Sequence, residues 1–236
     1  MRHFIKKIAE KYCKNKLLCI TIRPVWRCYT RYISRRQVHN FHKYGLELLS
    51  RFTIACEKAS VENWLEFGTL LGAYRDGDFI AHDFDIDVGV FYRDKDRLQQ
   101  VLESAGFKLV REFICGDNGI DGFEQTYSFK SVWIDIFFFH KRNESLMYCN
   151  SFSPIIGEVA FEGLSEVKEI TVPYGGFKII DFKGIDVRVP VDAEAHLKAH
   201  YGDNFMVPDR NFNYRKDATN IKYFSRSERL AVFKEY

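Results

Sequence analysis

At 236 residues, with 46% hydrophobic and 16% aromatic residues, the chain can fold around one sizeable core and carry an extension. No apolar run reaches the length of a membrane helix, and the six cysteines at 13, 19, 28, 56, 115 and 149 contain no Cys-x-x-Cys pair. That argues against a zinc knuckle and leaves a disulfide framework unsupported, so the thiols read as free, in a reducing, cytoplasmic compartment.

The net charge of +3 conceals a division. Residues 1–36 hold eleven Lys and Arg against the single acid Glu10, a charge of +10 that leaves −7 on the rest. Phe4, Ile5, Ile8, Ala9, Tyr12 and Cys13 recur at helical spacing opposite the lysines, and after Pro24 the residues Trp26, Tyr29, Tyr32 and Ile33 interleave with arginines. The segment reads as a basic amphipathic extension, separate from a domain over 37–236. Lysines interrupt any apolar core, which fits a secretory signal poorly. An anionic membrane surface is the leading partner for it, on the inner face of the cell membrane; packing or oligomer contact comes second and nucleic acid, which is not expected, last.

A helix is expected from about Val38 to Ala59, carrying Phe41, Leu46, Leu49, Phe52 and Ala55 toward the core. Trp64-Leu65-Glu66-Phe67 then reads as a short strand entering a tight turn, Gly68-Thr69-Leu70-Leu71-Gly72. Glycines let backbone N–H groups approach a phosphate, and the Thr hydroxyl either caps a following helix or donates to that phosphate. Taken alone, Gly-Thr before a helix is more often a plain cap.

The most informative run follows: Ala81-His82-Asp83-Phe84-Asp85-Ile86-Asp87-Val88-Gly89-Val90-Phe91. On a strand Asp83, Asp85 and Asp87 share one face while Phe84, Ile86 and Val88 point into the core. Three like charges so close are unfavourable unless a divalent cation neutralises them, and hard cations of the Mg²⁺ type take oxygen ligands. The bland alternative is a solvated face on an edge strand. A glycine turn followed about fifteen residues later by Asp-x-Asp is the pattern of a nucleotidyltransferase palm, in which the turn holds nucleotide phosphates and the carboxylates hold their metal.

Downstream, Asp94 to Ala105 reads as a helix and Phe107 to Phe113 as a strand. Residues 115–122 form a turn-rich loop, serving as a lid or a plain connection. Phe123 to Lys130 and Val132 to Phe139 read as strands. Within the last, Asp135 stands among aromatic and apolar residues, where an uncompensated carboxylate is expensive to bury. It reads as a third acid facing a site, as metal ligand or proton acceptor; the alternative is a strand-end acid bonded to backbone amides. Val191 to Tyr201 reads as a helix stopped by Gly202. The tail from Asp209, with Arg210, Arg215 and Lys216, covers the site or is simply solvated. His3, His39, His42, His140, His196 and His200 do not cluster with the carboxylates in sequence and read as structural or exposed; His82 alone lies beside the acidic strand.

The run from Phe67 through Gly68-Thr69-Leu70-Leu71-Gly72 and Arg75 to Asp83-Phe84-Asp85-Ile86-Asp87 resembles the signature of the LicD and fukutin family. Tyr201-Gly202-Asp203-Asn204-Phe205-Met206-Val207-Pro208 is similar to that family's downstream motif, and Val172-Pro173 to its preceding Val-Pro. The likeness covers roughly residues 60–212. One departure is Phe84, where many members carry a third consecutive Asp.

The resemblance implies an α/β nucleotidyltransferase fold, a polymerase-beta-like palm with a mixed sheet flanked by helices, behind the basic extension. It implies a metal-dependent phosphotransferase that moves a phospho-alcohol, such as phosphocholine or an alditol phosphate, from a CDP-linked donor to a glycan acceptor, lipid-linked in one version. Asp85 and Asp87 then hold Mg²⁺ or Mn²⁺, with Asp83 and Asp135 as further ligands. Gly68, Thr69 and Arg75 position the donor, and Tyr201, Gly202 and Asp203 complete the substrate site. Two rivals stay open: a nucleotidyltransferase acting on a small molecule such as an antibiotic, and a non-catalytic glycan-binding or scaffold protein on the same fold.

Overall fold

The computed structural model of the protein describes residues 16–154, 163–209, 212 and 214–236. The amphipathic pattern of residues 4–13 and the tail arginine Arg210 lie outside the described residues, as do the side chains of Arg215 and Lys216.

Helix α1 (Lys16–Lys58) has 43 residues, about 65 Å of rod at 1.5 Å per residue. It therefore begins well before Val38, and it crosses position 36 without a break. Its second half is buried along one face, by Phe41, Leu48, Leu49, Phe52, Ala55 and Cys56. Tyr32, nearer its start, is 61% exposed. No described helix is long and apolar enough to cross a membrane.

Short β1 (Asn63–Leu65) leads into α2 (Phe67–Arg75), so the glycine run that reads as a turn is in fact the opening of a helix. β2 (Asp85–Phe91) follows, then α3 (Lys95–Ser104), β3 (Lys108–Cys115), β4 (Gly122–Phe129) and β5 (Val132–Lys141). These agree with the sequence expectations to within two or three residues. The strands β6 (Leu146–Pro154) and β7 (Leu164–Pro173) come next, with the hairpin β8 (Phe177–Phe182) and β9 (Ile185–Pro190). Helix α4 (Ala193–Tyr201), the single turn α5 (Tyr214–Asp217), β10 (Ile221–Tyr223) and β11 (Leu230–Glu235) complete the described chain.

The architecture is mixed α/β. One large sheet runs β1-β2-β5-β4-β3-β11-β7-β10. β2 and β5 are parallel and every other pairing in it is antiparallel. β6 pairs all along β7 and also meets the end of β5 at His140 and Lys141. Strands β5, β4, β3, β11, β7 and β6 thus close a ring of hydrogen-bonded neighbours.

β2 lies between β1 and β5, so the acidic strand is not an edge, and the solvated-edge reading fails. Ile86, Val88 and Val90 join Ile134, Ile136 and Phe138 on the face that packs against α1 and α3, forming the main core. Phe84 does not join them. It precedes the strand and is 40% exposed, because the alternation that would bury it starts only at Asp85. Gly89 sits opposite Trp64 of β1, where an added Cβ would lie 2.2 Å from the indole ring, so no larger residue fits.

Candidate active site

The face of β2 opposite the core carries the acids. Asp87 pairs in register with Asp135 on parallel β5, and both side chains fall on the same face of the sheet. Asp83 lies in the loop before β2, yet it reaches the same place. A methyl group built on Gly68 would stand 3.1 Å from Asp83 Oδ2 and 3.4 Å from Asp87 Oδ2, so the missing side chain keeps the gap between two carboxylates open. Asp85 is one step along the strand, opposite Trp133.

Electrostatics sharpen the picture. Burial, then the neighbouring charges of Asp135 and Asp83, pushes the Asp85 carboxyl up to about 7. Asp87 rises well above the carboxylate range, from burial first and then repulsion by Asp85 and Asp135. Its one hydrogen-bond donor among the described residues is the Gly68 N–H, 3.2 Å from Oδ2. Asp83 is raised by burial too, with His82 and Arg75 opposing. Half-buried carboxylates that repel one another and have no side-chain donor among the described residues suit a hard divalent cation, which supplies the missing positive charge and takes oxygen ligands. The residues present fit such an ion.

The other residues singled out by sequence take more varied positions. Thr69 is 2% exposed, and its hydroxyl accepts the Asp87 N–H at 2.9 Å, so it pins β2 to the start of α2. Arg75 forms a forked ion pair with its neighbour Asp76 at 2.8–3.2 Å. Burial, then the charges of Asp87, Glu66 and Asp83, pushes the Tyr201 phenol well above its ordinary value. Gly202 ends α4 as expected, donating its N–H to the Lys198 carbonyl at 2.8 Å. Asp203 is exposed.

Sequence reasoning missed two groups on the same face. Asp135, 7% exposed, accepts from the Thr126 hydroxyl and from Arg111 Nη2 at 3.1 Å, while Arg111 Nε donates to Thr126 Oγ1 at 2.8 Å. Register explains the meeting: Asp87, Asp135, Thr126 and Arg111 stand side by side on β2, β5, β4 and β3. Glu124, two residues before Thr126, is buried, and burial followed by repulsion from Asp135 takes it up to about 8. No local spacing announces either residue. A hydrophobic strand interrupted by Arg111, or by Glu124 and Thr126, was the available signal.

A second polar cluster adjoins the first. Among the described residues, the group of three whose ligand atoms all fall within 4.8 Å of one another is Glu66, His196 and His200, and not the aspartates. All three are fully buried, so His196 and His200, which do not cluster with the carboxylates in sequence, meet one in space. Glu66 Oε1 accepts from His196 Nε2 at 2.7 Å and His200 Nε2 at 2.9 Å, and Oε2 accepts from Trp64 Nε1 at 2.7 Å. The Tyr214 hydroxyl meets His200 Nδ1 at 2.8 Å. Nitrogen–oxygen separations under 3 Å are hydrogen-bond lengths, shorter than the roughly 3.3 Å between tetrahedral ligands on a 2 Å metal radius. With three donors satisfying one carboxylate, the cluster is a hydrogen-bonded junction between α2 and α4. It holds the turn at the site: Phe67, a non-glycine residue at φ +43°, is wedged between Phe137 and His200 at ring distances of 4.5 and 4.7 Å.

Comparison with known proteins follows these elements. Over 186 residues, 77% of this chain, it is 26% identical to the ribitol-5-phosphate transferase FKTN of Homo sapiens, covering 37% of that protein. It is 35% identical over 92 residues to the ribitol 5-phosphate transferase FKRP of Homo sapiens, which is 37% of this chain and 18% of that protein. An uncharacterized protein of Rickettsia prowazekii (strain Madrid E) is 30% identical over 128 residues, half of this chain and 44% of the relative. The chain thus spans less than half the length of these relatives. Residues 60–192 match the nucleotidyltransferase domain described as LicD/FKTN/FKRP, a span that holds Gly68, the acid strand and Asp135 but ends before Tyr201. Since the matched span carries every acid of the site, the chain belongs to the LicD/FKTN/FKRP family.

Proposed function

We propose that the protein is a metal-dependent phosphotransferase that moves a phospho-alcohol, of the alditol-phosphate or phosphocholine kind, from a CDP-linked donor to a sugar hydroxyl of a glycan. The reading takes its sheet as a nucleotidyltransferase palm. One observation carries it: Asp83 and Asp87 approach each other over a glycine at the opening of a helix, with Asp135 in register beside Asp87. Membership of a family whose named members transfer ribitol 5-phosphate supports the same chemistry.

A Mg²⁺ or Mn²⁺ ion held by Asp85 and Asp87, with Asp83 and Asp135 at its flanks, would neutralise the donor's phosphate oxygens. The protein's own part is positioning. Gly68 leaves room for a phosphate at the helix opening, where a side chain would collide. Thr69 fixes Asp87 through its backbone, and Tyr201 walls the acids from the α4 side. The acceptor oxygen bonds to the phosphorus bearing the alcohol, the bond from that phosphorus to CMP breaks, and CMP leaves with the electron pair. The hydroxyl proton passes to the Asp135 carboxylate.

Residues 1–36, at +10, serve as a basic segment, continuous with α1 from Lys16 on, that rests on an anionic membrane surface where a lipid-linked acceptor would be found. Deleting them is expected to abolish co-sedimentation with anionic vesicles while sparing turnover on a soluble acceptor. Binding that ignores lipid charge and salt would end that part of the reading. For the chemistry, CDP-alcohols and nucleoside triphosphates are incubated with Mg²⁺ and the released product is read. CMP supports the phosphotransferase. Pyrophosphate release from a triphosphate would replace it with the nucleotidyltransferase, and glycan binding without turnover with the scaffold.

A further inference from the structure

We infer that Arg111 is a catalytic residue, the guanidinium that grips the donor's phosphate oxygens opposite the acid strand. The inference rests on the donor reading above and names a contact that reading lacks. Arg111 comes to the acids from β3, three strands away from β2, by register alone. Its side chain is 32% exposed and lies over the Trp133 ring, 5.9 Å from guanidinium carbon to centroid. Nε is committed to Thr126 and Nη2 to Asp135, which fixes the plane of the fork. A guanidinium has five N–H donors, and Nη1 has no partner among the described residues. The partly exposed guanidinium that carries this free edge belongs to the sheet face shared by Asp85, Asp87, Asp135 and Glu124.

Charge points the same way. A pyrophosphate donor brings negative oxygens to a face already crowded with carboxylates, and one divalent ion does not balance both. Arg111 is felt at Asp85 on one side of Asp135 and at Glu124 on the other, so it sits centrally. Another nearby cation, Arg75, is spent on a forked pair with Asp76 and only 12% of its side chain is exposed. Planar guanidinium and phosphate match in a two-point contact that lysine cannot reproduce.

A purely structural role would have Arg111 do no more than orient Asp135, and a mutant cycle separates the two. CDP and inorganic pyrophosphate, each with Mg²⁺, are titrated by calorimetry into the full chain as wild type, Arg111→Gln, Asp135→Asn and the double variant. Arg111→Gln is expected to weaken both ligands by about tenfold to a hundredfold, the range of a charge-assisted hydrogen bond. The loss should persist in the Asp135→Asn background. If Arg111→Gln changes nothing once Asp135 is neutral, Arg111 serves only Asp135 and the inference falls. Should Arg111→Gln fail to fold, Arg111→Lys carries the comparison, since it keeps the charge without the fork; unchanged affinity there also overturns the contact. Wild type that binds pyrophosphate but not CDP would sink the donor reading while leaving the effect of Arg111→Gln on pyrophosphate to decide this one. Binding of neither ligand overturns both.

Discussion

Glu66 and Asp87 touch through their backbones, the N–H of one donating to the carbonyl of the other at 3.1 Å, yet their carboxylates live under opposite regimes. Burial works to raise both. For Glu66 two imidazoles overcome it and hold the acid well below the carboxylate range. For Asp87 burial is reinforced by Asp85 and Asp135, and the pKa climbs. Among the described residues, the first acid has three side-chain donors and the second a single backbone N–H. A carboxylate the fold completes by itself is part of the scaffold. One left uncompleted a few ångströms away awaits a cation from outside.

The harshest way to break this contrast is to remove the unmet charge. Asp87→Asn should lower transfer by at least about a thousandfold, roughly 4 kcal/mol of transition-state stabilisation, without lowering the melting temperature of the metal-free protein. Steady-state rates beside thermal melts test it, and a rate within a few-fold of wild type would remove Asp87 from the metal.

Removing the met charge should do the reverse. Glu66→Gln leaves two buried imidazole N–H groups facing an amide, and is expected to destabilise the fold by about 3 kcal/mol. Urea denaturation measures this directly. A change below about 1 kcal/mol would mean that the junction is not what holds α2 against α4.

The gentlest probe is pH. Asp85 keeps its proton in the fold up to about pH 7, far above its ordinary 3.8, so its contribution to stability is fully present below pH 4 and disappears as pH rises toward 7 and beyond. Glu66, lowered instead, contributes above its ordinary 4.5 and loses that contribution only as pH falls below it. A metal must displace the proton on Asp85. Magnesium affinity should therefore drop by about tenfold per unit as pH is lowered below 7, and stabilisation by Mg²⁺ should be larger at pH 8 than at pH 6. Calorimetric titration across that window checks the slope, and affinity flat from 5 to 8 would contradict the raised Asp85.

What could be read from sequence follows from how local each feature is. Asp85 and Asp87 stood out because a period of two places them on one face of one strand, and Ile86 and Val88 fell into the core by the same rule. The rule was carried two residues too far at Phe84. Gly68 was found as an approach point, although the segment is helix and Thr69 is turned inward to Asp87. Arg111 and Glu124 reach the site only through the pairing of β3 and β4 with β5, and a register is not written in any one strand. His196 and His200 are four apart on α4, but their partner Glu66 is 130 residues away. The sequence reading assigns no strand after β5, although β6 with β7 and β8 with β9 are pairings of neighbours in sequence; only β10 and β11 return to distant partners.

The position of β11 shows how far that remoteness goes. Leu230–Glu235 pairs with β3 on one side and β7 on the other, joining strands that have no other direct pairing. Until those residues emerge from the ribosome, β3 and β7 each present an open row of N–H and carbonyl groups. Such edges recruit other chains, and pairings this remote in sequence form slowly. Protein shortened before Leu230 should accordingly be lost to aggregation during synthesis, even though it retains every acid on the face of β2 and β5.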